Sequence, residues 1–125
     1  LCFIHFTDPD NVGHTFGWGS PQQIKAFAKV DAALGIILKA IQRAQIEAES
    51  VIIITADHGG HGRGHGLGTP EDRTIPWIAW GRGVKRQTEI CVPVNTYDTA
   101  ATALWLLDLQ PLTPLDGVPV LSAFE

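Results

Sequence analysis

The feature that most constrains this chain is a short apolar strand that runs straight into a histidine and glycine loop: Val51-Ile-Ile-Ile-Thr-Ala-Asp57-His58-Gly-Gly-His61-Gly-Arg-Gly-His65-Gly66. A run of four β-branched residues predicts a buried parallel strand, because strands covered on both faces read as continuous apolar runs. Residues 58–68 then hold three of the chain's five histidines and six glycines. Glycine admits positive φ and lets backbone pass close to a ligand, so a loop this rich in it can curl around a site; a plain hairpin needs fewer. Asp57 and His58 place a hard oxygen and an imidazole where the strand stops, the point at which a turn can aim both at one metal ion. Inside a regular strand they would point to opposite faces.

A second Asp/His pair lies upstream. Leu1-Cys-Phe-Ile-His-Phe6 predicts a first apolar strand, ending in a loop from Thr7 to His14. Asp10 and His14 stand four apart there, a spacing at which carboxylate and imidazole converge on one ion if the segment turns. Asp8 competes for the role. Pro9 biases Asp8 toward extended backbone while Gly13 frees the turn before His14, so Asp10 is preferred. His5, inside the strand, is assigned to the core.

Between the two loops a helix is expected, with Ser20 as N-cap, Pro21 at the first helical position and Gln23 completing a capping box. Ile24, Phe27, Leu34, Leu38 and Ile41 form its apolar face. Asp31 interrupts that face and is assigned to holding a neighbouring loop rather than to a wet edge, since a buried carboxylate needs hydrogen bonds. The helix is expected to fray from Gln45 to Ser50. A strand–helix–strand unit is nearly always right-handed with parallel strands, so both Asp/His loops leave the carboxyl edge of one sheet, where open α/β sheets bind ligands.

Downstream, Ile75-Pro-Trp-Ile-Ala-Trp80 predicts a third strand, followed by a solvated basic turn with Arg82, Lys85 and Arg86. Val92–Val94 suggests a short strand, and Thr96 a cap for a helix from Tyr97 to about Leu107, with Asp98 in its first turn. The tail, with Pro111, Pro114 and an Asp116-Gly117 turn, is expected to be loop with an edge strand.

Composition bounds the function classes. At 125 residues, 45% hydrophobic and 18% charged, the chain is the size of one globular domain and can bury a core. Nine basic against 13 acidic residues give a formal charge of −4, which argues against a nucleic-acid backbone as partner. Cys2 and Cys91 are too few for a disulfide framework and are assigned to the interior. No apolar run approaches the roughly 20 residues of a membrane span, and residues 1–6 lack the pattern of a signal peptide. The chain contains no methionine and opens inside a strand-like run, so it is expected to be part of a longer protein, with exposed apolar surface and self-association. Compartment is not legible.

Five segments together carry a family resemblance: Asp10-Asn-Val-Gly-His14, Thr55-Ala-Asp57-His58-Gly59, His65-Gly66, Ile75-Pro-Trp-Ile-Ala-Trp-Gly81 and Thr96-Tyr-Asp-Thr-Ala100. In this order the chain resembles the C-terminal part of an alkaline phosphatase superfamily hydrolase, closest to the type I phosphodiesterase/nucleotide pyrophosphatase and sulfatase-like branches. The resemblance implies an α/β three-layer sandwich with a mainly parallel sheet, of which residues 1–125 are the C-terminal portion. It implies two divalent ions, zinc or else manganese, bridged by the phosphoryl group of a small phosphate ester. Asp10, His14 and His65 would bind one ion, Asp57 and His58 the other. His61 competes with His65, but a His-Gly pair followed by a short spacer and an Ile-Pro strand favours His65. The hydroxyl nucleophile and a further aspartate would come from upstream of Leu1, so turnover by these residues alone is not expected. Sulfate esters are the nearest rival substrates, and a non-catalytic metal-binding or interaction module is the alternative of a different class.

Overall fold

In the computed structural model, which describes residues 1–125, the chain runs through α1 (Asp8–Phe16), α2 (Pro21–Arg43), β1 (Val51–Thr55), α3 (Pro70–Arg73), β2 (Trp77–Gly81) and α4 (Asp98–Leu106), with 3-10 turns at Glu47–Glu49 and Leu121–Ala123. It divides into two units, Leu1–Ile46 with His58–Ile75, and Glu47–Asp57 with Pro76–Glu125. No helix is long and apolar enough to cross a membrane.

In the first unit, α2 begins where the sequence places it. Ser20 Oγ accepts the Gln23 N–H at 3.2 Å and Pro21 occupies the first turn, where its missing N–H costs nothing. The Gln23 side chain does not close the capping box. It accepts the Gly19 N–H at 2.7 Å and donates to the Pro9 carbonyl at 3.0 Å, fastening α1 to α2. At the other end Gln45 adopts φ 59°, the Ile46 N–H reaches the Ile41 carbonyl at 3.3 Å and the Gln45 N–H reaches Gln42 at 3.0 Å. This is a Schellman stop built without glycine, so the helix ends at Arg43 rather than fraying. On its expected apolar face Ile24 and Phe27 are more than half exposed, and Asp31 faces water instead of holding a loop.

Two expectations fail at the start of the chain. Leu1–Phe6 forms no strand, and Cys2 and His5 are exposed rather than interior. A strand exists only where a neighbour takes its N–H and C=O groups, and none runs beside residues 1–6. Residues 8–16 form a helix, not a loop: Pro9 sits in the first turn, which suits its fixed φ, and the bias it puts on Asp8 is overridden.

In the second unit β1 pairs antiparallel with β2, Ile53 opposite Ala79, so the expected parallel pairing with Leu1–Phe6 is replaced. The β1 residues Val51–Ile54 are half-buried throughout, whereas β2 alternates, with Trp77 and Ala79 partly covered and Ile78 and Trp80 exposed. Val120, Ala123 and Phe124 form the core, packed by Val51, Trp77, Val84, Ile90, Val94 and Leu106. The tail's edge strand reduces to one antiparallel bridge, Val84 to Phe124. No strand forms at Val92–Val94, and Cys91 is exposed. Tyr97, not Thr96, precedes α4, and no side chain caps it from that position. Asp98 does the fastening: its carboxylate accepts the Asn95 N–H at 2.7 Å and the Val118 N–H at 2.9 Å.

Candidate metal centre

α1 creates the first half of the site by its period. Asp10 and His14 are one helical turn apart, so their side chains share a face, and His14 Nε2 lies 3.5 Å from Asp10 Oδ1. The loop after β1 brings the rest. His65 Nε2 is 3.7 Å and His58 Nε2 is 3.8 Å from the same Asp10 oxygen.

The rings are held from outside. His14 Nδ1 lies 2.9 Å from the Arg63 carbonyl, which can only accept, so Nδ1 carries the proton and the Nε2 lone pair faces Asp10. His58 Nδ1 donates in the same way to the Gly59 carbonyl at 2.8 Å. The His58 and His65 rings stack with centroids 3.6 Å apart, and Trp18 meets His14 edge-on at 5.1 Å and His65 at 5.8 Å. Trp18 is itself wedged against Gly60, where a Cβ would overlap the indole; this close approach is what the glycine permits.

Asp10 Oδ1 is shielded from solvent and has no hydrogen-bond partner. Buried carboxylate oxygens are nearly always satisfied, and leaving one bare costs about 1–3 kcal/mol or more. The surrounding donor set indicates what would satisfy it. Tetrahedral metal bonds of about 2.0–2.1 Å place neighbouring ligand atoms about 3.3–3.4 Å apart, and the ligand atoms of Asp10, His14 and His65 lie within 4.8 Å of one another. One carboxylate oxygen with unprotonated imidazole nitrogens is a donor set for a borderline divalent ion, so these residues fit the group that the resemblance implies.

Of the five residues singled out as ligands, the first unit brings Asp10, His14, His58 and His65 together. His58 contacts Asp10 and His65. Asp57 is exposed at the end of β1 in the second unit. His61, the competitor of His65, turns elsewhere: its Nδ1 donates to Asp72 Oδ1 at 2.8 Å. Asp72 is 5% exposed, and its other oxygen accepts the Leu67 N–H at 2.9 Å. Burial opposes its ionisation, but the bonds from His61 and Leu67 outweigh it and hold the carboxyl below the usual aspartate range. Sequence reasoning missed Asp72 and Trp18. For Asp72 a signal existed: Thr69-Pro-Glu-Asp72 is a capping-box pattern, and Thr69 does accept the Asp72 N–H.

Comparison with known proteins gives these residues a family. Residues 1–63 match the model of type I phosphodiesterase / nucleotide pyrophosphatase. Among relatives, GPI ethanolamine phosphate transferase 1 of Saccharomyces cerevisiae is 28% identical over 76% of this chain and 10% of its own length. Ectonucleotide pyrophosphatase/phosphodiesterase family member 7 of Homo sapiens is 34% identical over 47% of this chain and 13% of its length. Arylsulfatase K of Gallus gallus is 28% identical over 80% of this chain and 21% of its length. The chain thus spans about a tenth to a fifth of the length of these curated relatives. No solved structure matches it. The matched segment contains Asp10, His14, Asp57, His58 and His61, and the chain belongs to the type I phosphodiesterase/nucleotide pyrophosphatase family of the alkaline phosphatase superfamily.

Proposed function

We propose that residues 1–125 form the C-terminal part of a metal-dependent phosphoester hydrolase domain, a three-layer α/β sandwich when whole, and that Asp10, His14 and His65 hold one divalent ion, preferably zinc, with manganese next. The observation that carries this is the bare, shielded Asp10 Oδ1 with three imidazole nitrogens at 3.5–3.8 Å. Asp57 and His58, adjacent in the chain, would serve a second ion. Bound metal in such a site supplies Lewis acidity toward a phosphoryl oxygen and stabilises charge as the ester bond breaks.

The chain's own contribution is orientation and proton placement. The Arg63 carbonyl keeps the His14 proton on Nδ1, and the Asp10 carboxylate brings negative charge to the centre of the imidazoles. The nucleophile is assigned to a part of the protein outside these residues. Thr15 Oγ1 donates to the Asn11 carbonyl and Thr55 Oγ1 to the Pro76 carbonyl, so two of the hydroxyls near the ligand motifs are already committed to backbone. Turnover is therefore assigned to the longer protein. Phosphate esters are preferred to sulfate esters because the matching family model is that of phosphodiesterases. The relatives include an ethanolamine phosphate transferase, so transfer of the phosphoryl group to an acceptor other than water is the second reading.

Zinc retained after dialysis, measured by plasma mass spectrometry, tests the reading on the wild-type chain, His65→Ala and His5→Ala. Near-stoichiometric zinc that is lost in His65→Ala and kept in His5→Ala is expected. Equal zinc in all three would sink the assignment, and robust phosphoesterase turnover by these 125 residues would overturn the claim that the nucleophile lies elsewhere.

A further inference from the structure

His65 is held differently from the other imidazoles of the site. His14 and His58 each have Nδ1 fixed by a backbone carbonyl, but no hydrogen bond holds the His65 ring. Besides the 3.7 Å approach of its Nε2 to Asp10 Oδ1, it has ring contacts with His14, His58 and Trp18 and the course of its backbone. That backbone is poorly suited to staying in place unaided. Between His61 and Leu67 three of five residues are glycine, and Gly62 and Gly66 take φ 53° and 96°. Glycine loses more conformational freedom on ordering than any other residue, so such a loop keeps one shape only if its ends are tied.

Residue 72 ties them. One Asp72 oxygen takes the His61 Nδ1–H and the other takes the Leu67 N–H, four residues before and two after His65. The Asp72 carbonyl also accepts the Gly59 N–H at 2.8 Å. Asp72 is itself seated by α3, whose Thr69 cap receives its amide. The bracketed segment includes Arg63, whose carbonyl orients His14. One buried carboxylate therefore governs the loop that delivers His65 and the carbonyl that orients His14. We propose that Asp72 is the positioning residue of the metal centre, acting through the His61 and Leu67 bonds to hold the His65 ring and the Arg63 carbonyl at Asp10. The inference rests on the metal-site reading above and adds a residue which that reading does not contain. It also gives His61 a role: its ring is a strut, not a ligand.

Zinc titration calorimetry on the 125-residue chain and its Asp72→Ala, Asp72→Asn and Asp98→Asn variants tests this, alongside amide hydrogen exchange of the metal-free proteins. Loss of outer partners of metal ligands typically weakens binding by about 10–100-fold, and that is expected for Asp72→Ala. Exchange at residues 61–68 should rise by about tenfold or more, with β1 and β2 unchanged. Asp72→Asn should recover part of the affinity, since its amide oxygen still accepts the Leu67 N–H; if the alanine variant does not fold, the asparagine variant carries the comparison. Asp98→Asn perturbs an equally buried carboxylate outside the loop and should leave zinc affinity at the wild-type value. Wild-type affinity in Asp72→Ala, with zinc binding by the parent chain intact, overturns the positioning role and leaves the metal site standing. If the parent chain binds no zinc, the metal reading fails, and exchange decides the bracket: unchanged protection at residues 61–68 refutes it, and lost protection confined to them supports it.

Discussion

Asp98 and Asp10 are the same side chain in the first turn of two nine-residue helices, and they have opposite fates. Asp98 is 4% exposed and saturated: the Asn95 amide, the Asn95 side chain and the Val118 amide all donate to it. Burial opposes its charge, but these donors outweigh burial and keep its carboxyl below the usual aspartate range. Asp10 turns one oxygen into a shielded space with no donor, surrounded by imidazole nitrogens too distant to hydrogen-bond. A carboxylate whose bonds are complete is a structural clasp, and one kept incomplete at the centre of a convergent donor set is the metal ligand we propose. The position in the helix does not distinguish them; the partners brought by the rest of the fold do.

The sharpest way to break this comparison is Asp10→Asn. Zinc affinity should fall by at least about 100-fold, since a charged oxygen ligand becomes a neutral amide, while the melting temperature of the metal-free chain should not fall, because no hydrogen bond is lost. A large loss of metal-free stability would make Asp10 a clasp like Asp98. Asp98→Ala should do the reverse. It removes the charged acceptor of the Asn95 and Val118 amides and should cost about 2–3 kcal/mol in urea unfolding, with zinc affinity unmoved. The smallest effect is in acid. Because the folded carboxyls of Asp98 and Asp72 are lowered, the unfolded chain binds more protons once pH approaches the ordinary aspartate value of 3.8. Their stabilisation is complete above that value and is lost as pH falls through it toward the folded values. Denaturant midpoints followed from about pH 5 to about pH 2 should decline in the wild type and decline less steeply in Asp98→Asn. Identical slopes would show that Asp98 is not the depressed group.

Local chemistry was legible wherever one segment contains both partners. Ser20 and Pro21 announce α2, because a cap needs only its own three neighbours. The strands Val51–Thr55 and Trp77–Gly81 follow from β-branched and aromatic runs bounded by turn residues. Asp10 and His14 were singled out as a pair from a spacing that works in a helix, although a loop was expected: the side chains were right and the backbone was wrong. What failed was pairing. Leu1–Phe6 has the composition of a strand, but strand formation depends on what lies alongside, and β1 finds β2 instead.

By itself, then, the sequence determined the candidate ligand types, the glycine loop among them, the start of α2 and the family. Each depends on residue identity or on spacing within a few positions. Only the tertiary structure decided that β1 and β2 run antiparallel, that His58 and His65 stack over one Asp10 oxygen, that His61 turns away to Asp72, and that Asp98 rather than Thr96 fastens α4. These outcomes rest on hydrogen bonds and ring contacts mostly between residues far apart in the chain. A donor or acceptor chooses among such partners by where the backbone has already been carried, which no local pattern encodes.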